Sequence, residues 1–591
     1  MIQKISIIAA IIMLICEPSF GMIENNVSSG FVVTFDESLP LPVKNAIGLF
    51  TKEVQKRVLP STGSTSSTKQ VLRVSVNESL VPSGLSGDAL KKDGYYLKID
   101  SSEIVLFSRN AGGAAAGLGR LLCLMDFSKP AITVPNMTLV ENPAMTIRGI
   151  YFATHFNNYY ECAPIEDIKS YIEEMALWGC NSLLVWFDPE KYKGFDDPKA
   201  LSFIARLKQM EQTAHQYGMQ FGLTVVANEA FLSSPRAIRS PRPSFISRNY
   251  YICPCRTGAM EYEADYISKL LESIENVDNL VVWCYDPGGC DCDQCAPYAG
   301  NGYIKLAEQT AAIFKKKNPI GHVYLSDWYI GGDKFDVHKG NAEKFIEYLK
   351  SGKGHMFDGV LNQMSPWHSD LPKAIIKAGV NREQCPMLSF MDISMINMRP
   401  WGGYGSNPLG DYIGTAMQIY TPLITGGWPY SEGIYEDVNK FQWFRKCWNP
   451  KESVAEIYKE YASFHFGQNV AGKAAQLFDL LEKTHKRKDW DVDNLKESAA
   501  AWALAQYIDA NIATWAKSSW RWRIVYLRAA VDNCLATSGI KTQAGQDKIK
   551  PFLDEIVSIY HAELISGTSA GAHLRPPKLP PISAANNVPG R

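Results

Sequence analysis

The sequence predicts an α/β chain: a (β/α)8 TIM barrel, a small α/β unit in front of it and an α-helical region behind. Three observations predict this. Between residues 144 and 449, short apolar runs alternate with amphipathic helical stretches eight times. Before residue 144, strand-like runs with period two surround two helical stretches, and after residue 450 only helical spacing remains. Nearly continuous apolar strands suit a parallel sheet covered on both faces, and eight such units suit closure into a barrel. A doubly wound open sheet is the alternative use of the same units.

Residues 1–21 read as a secretory signal, with Lys4 as the positive region, ISIIAAIIMLIC as the apolar run and SFG before Met22. A lipoprotein reading would use Cys16 as the acyl anchor, but Ile15 stands where a small residue is expected. The run is short for a membrane span, and no later segment approaches the ~20 apolar residues that one needs. The expected product is exported, either periplasmic or secreted, without a transmembrane segment.

In the first unit, 22–143, FVVTFD and VLRVSV flank the amphipathic stretch PVKNAIGLFTKEVQKRV, and GYYLKID with EIVLFSR reads as a hairpin. NAGGAAAGLGRLLCLM follows as a helix whose glycines allow close packing; no G-K-[ST] follows, so a phosphate loop is not indicated. The barrel, 144–449, takes its strands from TIRGIYFATH, NSLLVWFD, FGLTVVANE, NLVVWCYD, HVYLSDW, GVLNQMSPW, MLSFMDI and PLITGGWPYSE. Residues 450–565 are helical by spacing, and the Pro- and Ser-rich tail, 566–591, is expected to be disordered. The tail holds GTSAG at 567–571, but no strand precedes Ser569 and no acid separates it from His573, so the nucleophile-elbow match is coincidental.

The 591 residues leave room for several domains and a large core. A formal net charge of −1 gives no electrostatic footprint for nucleic acid or anionic lipid, so neither is expected as a partner.

Barrel active sites are built at the C-terminal ends of the strands. Those positions hold His155 and Asn157, Asp188, Glu229, Asp286, Asp327 with Trp328, Trp367, Asp392, and Trp428, Tyr430 and Glu432. Carboxylates that converge among aromatic rings suit sugar chemistry, because rings stack on the C–H faces of a sugar while carboxyl groups move protons. Glycoside cleavage needs two such groups flanking one bond. Asp286 and Glu432 form the expected catalytic pair, with Glu229 as the substitute for either. His155, Asn157, Asp188, Asp327, Trp328, Trp367, Asp392, Trp428 and Tyr430 are the expected sugar contacts. Arg148, at the start of the first barrel strand, reads as half of a buried ion pair.

Thirteen cysteines include six between Cys253 and Cys295. Cys253 and Cys255 form one C-x-C, while Cys290, Cys292 and Cys295 form C-x-C-x2-C after the fourth strand. Four thiolates from two adjacent loops would make a closed structural zinc site; disulfides and free thiols are the other readings. No cofactor is expected for catalysis.

DGYYLKID, IVLFSRNAGGAAAGLGRLLCLM and ENPAMTIRGIYF together resemble a known layout. They resemble the small α/β domain, and its join to a (β/α)8 barrel, in family 20 β-hexosaminidases and the related α-glucuronidases and α-N-acetylglucosaminidases. The resemblance implies a glycoside hydrolase acting on a complex glycan or polysaccharide, in the exo mode on an N-acetylated or acidic sugar. Family 20 enzymes carry an Asp-Glu pair at the end of strand 4. Here YDPGGC supplies Asp286 without the Glu, so the substrate-assisted mechanism is not carried over. YDPGGCDCDQCAPYAGNGY and GGWPYSEGIYEDVNKFQW resemble a group of exported bacterial hydrolase-like proteins. A non-catalytic glycan-binding protein on the same scaffold and a sugar lyase are the competing expectations.

Overall fold

The computed structural model describes residues 22–582 other than 29–30, 59–69, 78–81, 83–84, 129–131, 242–250, 285–288, 291, 329, 331–339, 365–370, 395–404, 486–494, 539, 562–578 and 580. The signal segment, Asp286, Trp367 and the GTSAG stretch lie outside the described residues.

The first unit is a mixed sheet of β1 (Met22–Ser28), β2 (Phe31–Asp36), β3 (Gln70–Val76), β4 (Tyr95–Ile99), β5 (Glu103–Ser108) and β6 (Met137–Glu141), ordered β1-β2-β3-β5-β4-β6. β2, β3 and β5 run parallel, while β4 pairs antiparallel with both β5 and β6. The expected strands and hairpin form, and β1 and β6 add two antiparallel edges that the sequence reading did not foresee. The helix Ala111–Leu124 opens on Asn110, whose side-chain oxygen accepts from the Gly113 N–H at 2.9 Å. A Cβ on Gly119 would stand 1.8 Å from the Leu177 carbonyl oxygen, so this helix meets the barrel helix Ile165–Leu177 only because that position is glycine.

The barrel strands are β7 (Ile147–Phe152), β8 (Ser182–Trp186), β9 (Gln220–Val226), β10 (Asn279–Trp283), β11 (His322–Ser326), β12 (Gly359–Asn362), β13 (Met387–Ser389) and β14 (Ile424–Gly427). All pair in parallel, and β14 closes onto β7 through Gly426 opposite Ile147 and Gly427 opposite Arg148. At Gly426 φ is +140°, and a Cβ there would lie 1.9 Å from the Ile147 carbonyl oxygen, so the seam needs glycine. The eighth apolar run splits. After Trp428 and Pro429 the chain pairs again with β7 as β15 (Tyr430–Ser431). An open doubly wound sheet is thereby excluded.

Behind the barrel lie helices Val454–Phe466, Gln468–Lys483, Leu495–Asn511, Thr514–Lys517, Trp520–Ser538 and Gln543–Ile559. Ser453 and Glu456 form a reciprocal capping box at the first. Arg521 bridges Asp437 and Glu174, each at 2.8 Å, which fastens the helical region to two barrel helices. Arg148, itself enclosed, pairs with half-buried Asp93 at 2.7 Å, joining the base of β7 to the turn before β4. One apolar core runs through sheet, outer barrel layer and C-terminal helices, and a second fills the barrel interior. Among the described residues, no helix is long and apolar enough to cross a membrane.

Candidate active site

The upper interior of the barrel is aromatic because several strands end on a ring. Tyr151 (β7), Trp186 (β8), Trp283 (β10), Phe390 beyond β13 and Tyr430 (β15) belong to one buried cluster. Tyr151 stacks on Tyr430 with centroids 5.7 Å apart and meets the edges of Trp283 and Phe390 at 5.3 and 5.5 Å. Each such contact contributes about 0.5–1.5 kcal/mol beyond area burial, so the rings form a rigid platform. The Trp283 indole N–H has no hydrogen-bond partner among the described residues.

The strand-end acids gather around this platform. Burial pushes the Tyr151 hydroxyl far above its ordinary range, and the charges of Asp188, Glu229 and Glu432 all act on it in the same direction. Contacts tie two of these acids to the platform: Glu432 accepts from Tyr430, which stacks on Tyr151, and Glu229 accepts from Trp186 of the same cluster.

Glu432 is enclosed, with the Tyr430 hydroxyl donating to Oε1 at 2.7 Å and the Tyr435 hydroxyl to Oε2 at 2.8 Å. Burial pushes its carboxyl up to about 7, against the two phenols, which favour the charged form. The loop that carries it is held from below. Glu436 accepts from the Ser431 hydroxyl at 2.5 Å and the Gly433 N–H at 3.0 Å, and buried Lys440 donates to the Gly433 carbonyl at 2.6 Å.

Glu229 is held differently. Oε2 accepts from the Trp186 indole at 2.9 Å and the Val226 N–H at 3.1 Å, and Oε1 accepts from the Tyr266 hydroxyl at 2.7 Å. Burial drives it well above the carboxylate range. Behind it stands Glu263, equally enclosed, with neither oxygen hydrogen-bonded among the described residues; burial first, then Glu229, pushes it up as well. Burial thus favours the protonated form of both carboxyl groups.

The other expected contacts are spread around the same end. Asp327 accepts from Asn362 Nδ2 at 2.5 Å and the Gln363 N–H at 2.9 Å, and burial pushes it up to about 7. Trp328 presents its ring at right angles to Phe390, 5.3 Å away. Asp188 accepts from the Glu190 N–H at 3.2 Å, and half-buried Asp392 accepts from the Ser394 N–H at 2.8 Å beside Tyr430. His155 lies 3.4 Å from the Tyr151 hydroxyl through Nδ1 and packs edge-on against Trp186 at 4.9 Å. The turn after it is strained. Phe156 and Asn157 both have φ of +57°, and the Asn158 N–H closes on the His155 carbonyl at 3.1 Å. Two consecutive non-glycine residues in this region cost about 1–3 kcal/mol each, and such cost collects at functional sites.

One expectation is corrected. Trp428 does not line the mouth: it is fully buried, donates its indole N–H to Ser182 Oγ at the first residue of β8 (2.9 Å), and packs edge-on against Tyr324. A Cβ on Gly149 would fall 2.2 Å from its ring, so Trp428 is a floor plug that fits over a missing side chain. The sequence reading missed Tyr151, Trp186, Trp283, Phe390, Tyr266 and Tyr435. The first four lie within the apolar strand runs, where an aromatic residue has the same pattern as core; Tyr266, on the helix Ala259–Ser273, had no signal at all.

The thiols converge. Cys253, Cys290, Cys292 and Cys295 hold their sulfurs all within 4.8 Å of one another, while Cys255 lies 3.5 Å from Cys295 outside that set. No disulfide joins any of the described cysteines.

No protein-family model matches the sequence, and no curated protein does. Solved structures do. A family 138 glycoside hydrolase that targets the pectin rhamnogalacturonan II superposes with a TM-score of 0.55 at 10% identity, over 90% of this chain and 74% of its own. CpGH84B superposes at 0.54 with 12% identity, over 92% of this chain and 94% of its own. BtGH115A, a 4-O-methyl-α-glucuronidase with specificity for decorated arabinogalactans, gives 0.54 at 11% identity, over 91% and 76%. Enzymes of families 20 and 89 match as well. The chain thus has the fold of a (β/α)8 glycoside hydrolase with an α/β unit ahead of its barrel, and at these identities the likeness is one of fold.

Proposed function

We propose that the protein is an exported glycoside hydrolase that cleaves a complex glycan or polysaccharide by carboxylate acid–base chemistry. The observation that carries this reading is the attachment of two buried strand-end carboxyls to one aromatic platform in a glycosidase-like barrel: Glu432 accepts from Tyr430, which stacks on Tyr151, and Glu229 accepts from Trp186 of the same cluster. Glu432 serves as the general acid: burial pushes its carboxyl up to about 7, which keeps a protonated fraction near neutral pH, and its loop is fixed by Glu436 and Lys440. Asp286, three residues beyond β10, supplies the second carboxylate, which either activates water or attacks the anomeric carbon. Glu229, held by the Trp186 indole, the Val226 N–H and the Tyr266 hydroxyl, is the substitute for either acid. The Trp283 indole N–H offers a donor to a sugar hydroxyl. A terminal N-acetylated or acidic sugar is the favoured substrate, with export through residues 1–21 and no cofactor for the reaction.

The test is a panel of chromogenic glycosides and intact glycans incubated with wild type and Asp286→Asn. Release of sugar that the variant loses supports the proposal. Release that the variant retains removes Asp286 from it.

A second reading, non-catalytic glycan binding, is favoured by one observation: the oxygens of both Glu229 and Glu432 already accept from Tyr or Trp. Binding of a glycan that survives prolonged incubation uncut would select it. An unsaturated product sugar would select a lyase instead.

A further inference from the structure

We propose that Cys253, Cys290, Cys292 and Cys295 form a closed tetrathiolate site for one zinc ion, which clamps the loops following β9 and β10 together. The site does not depend on the hydrolase reading.

A tetrahedral Zn–S4 centre with bonds of about 2.3 Å has S···S edges of about 3.75 Å. The Cys253 sulfur stands 3.7 Å from those of both Cys292 and Cys295. A disulfide would require about 2.05 Å, and packing alone gives no reason for four sulfurs to share one centre. Cys253, Cys290 and Cys295 are enclosed and Cys292 is half-buried, so the centre is shielded from water. Ser240 donates its hydroxyl to the Cys290 sulfur at 3.1 Å, the kind of outer contact that offsets the charge of a thiolate ligand.

The surrounding backbone is built for the same purpose. Asn228, beside Glu229, donates to the Ile252 carbonyl at 2.9 Å and the Gly289 carbonyl at 3.0 Å, and accepts from the Gly289 N–H at 2.9 Å. One amide thus pins the residue before Cys253 and the residue before Cys290. The Cys295 N–H closes on the Cys292 carbonyl at 3.0 Å, which turns the C-x2-C pair towards one point. With four thiolates the ion has no open position, so its role is structural. Cys255 is the thiol left over.

Metal analysis tests the site on the full chain expressed in zinc-supplemented medium. About one zinc per chain should survive dialysis against chelator, since closed thiolate sites bind tightly. Cys253→Ser, Cys290→Ser, Cys292→Ser and Cys295→Ser should each reduce that content at least tenfold, whereas Cys255→Ser should leave it unchanged. Because a ligand variant can fail to fold, a second measurement uses wild type alone. Stepwise modification with an organomercurial, read by a zinc-sensitive dye, should consume four thiols per ion released. Wild type with less than a tenth of a zinc, or with these thiols found as disulfides by non-reducing peptide mass spectrometry, overturns the proposal. Loss in Cys255→Ser with retention in Cys292→Ser overturns the ligand set, and iron as the sole metal overturns the identity of the ion.

Discussion

Acidic residues stand at both ends of the barrel strands, under opposite conditions. At the strand starts, Asp278 accepts from His215 at 2.9 Å and from the Phe221 N–H of β9 at 2.8 Å. Asp358 accepts from Lys315 and His322 at 3.0 Å and from the Val323 N–H of β11 at 2.8 Å. Asn181 does the same for the Arg148 N–H of β7 at 2.8 Å. The residues preceding β8, β10 and β12 thus each satisfy an N–H of the previous strand. At the strand ends, Glu229, Asp327 and Glu432 are enclosed and accept from indole, phenol and amide donors. Burial pushes Asp358 up too, but the Val323 N–H, His322 and Lys315 outweigh it and hold the carboxyl below its usual range. For Asp327 and Glu432 burial wins. The two ends serve different purposes: Asp358 below is held in its charged form by the donors it fastens, while above burial favours the protonated form of Asp327 and Glu432 at a cost in stability.

Replacing Glu432 should break this contrast most visibly. Glu432→Gln should lower kcat about 10²–10⁴-fold on any cleaved glycoside while the circular dichroism spectrum stays native. Undiminished turnover would mean that the proton on Glu432 has no part in the reaction.

The pH profile sharpens the same point. With a carboxyl near 7 acting as the acid, wild-type kcat/KM should fall about tenfold per pH unit in the alkaline limb, and residual Glu432→Gln activity should lack that limb. Stability has its own sign. Unfolded, this glutamate ionises near 4.3, so its enclosure costs stability increasingly as pH rises from about 4.3 to 7 and fully above that. Thermal denaturation should show Glu432→Gln gaining on wild type between pH 5 and pH 8.

A smaller effect is expected at the strand-3 acid. Tyr266→Phe leaves a Glu229 oxygen without its donor in a dry site and should destabilise the fold by about 1–3 kcal/mol in urea titrations. A change under a few tenths would show that Glu229 is less tightly held than its contacts imply.

The smallest belongs to the strand starts. Asp358→Asn should cost about 1–2 kcal/mol at pH 7. Because the folded carboxyl is held low, that contribution is present above the unfolded value near 3.9 and disappears as pH falls through the folded one. A penalty that persists unchanged in acid would assign the effect to packing instead.

The eight strand–helix units were legible because apolar run length and helical spacing are local properties. The same logic placed Asp188, Glu229, Asp327 and Glu432 at strand ends. It failed at Trp428, which neighbours Tyr430 in sequence but faces the opposite end. The break between β14 and β15 reverses its direction, and room for it comes from Gly149 on another strand. Tyr266 was invisible because a helix residue meets Glu229 only after two further elements have packed.

Local sequence was enough to set the order and kind of the elements, the thiol-rich loops and the supply of acids and rings. Long-range packing set which four of five thiols come together, which tryptophan becomes a floor and which acids burial pushes towards their protonated form. Spacing along a chain governs local conformation, whereas burial and the separation of side chains depend on what the rest of the fold places around them.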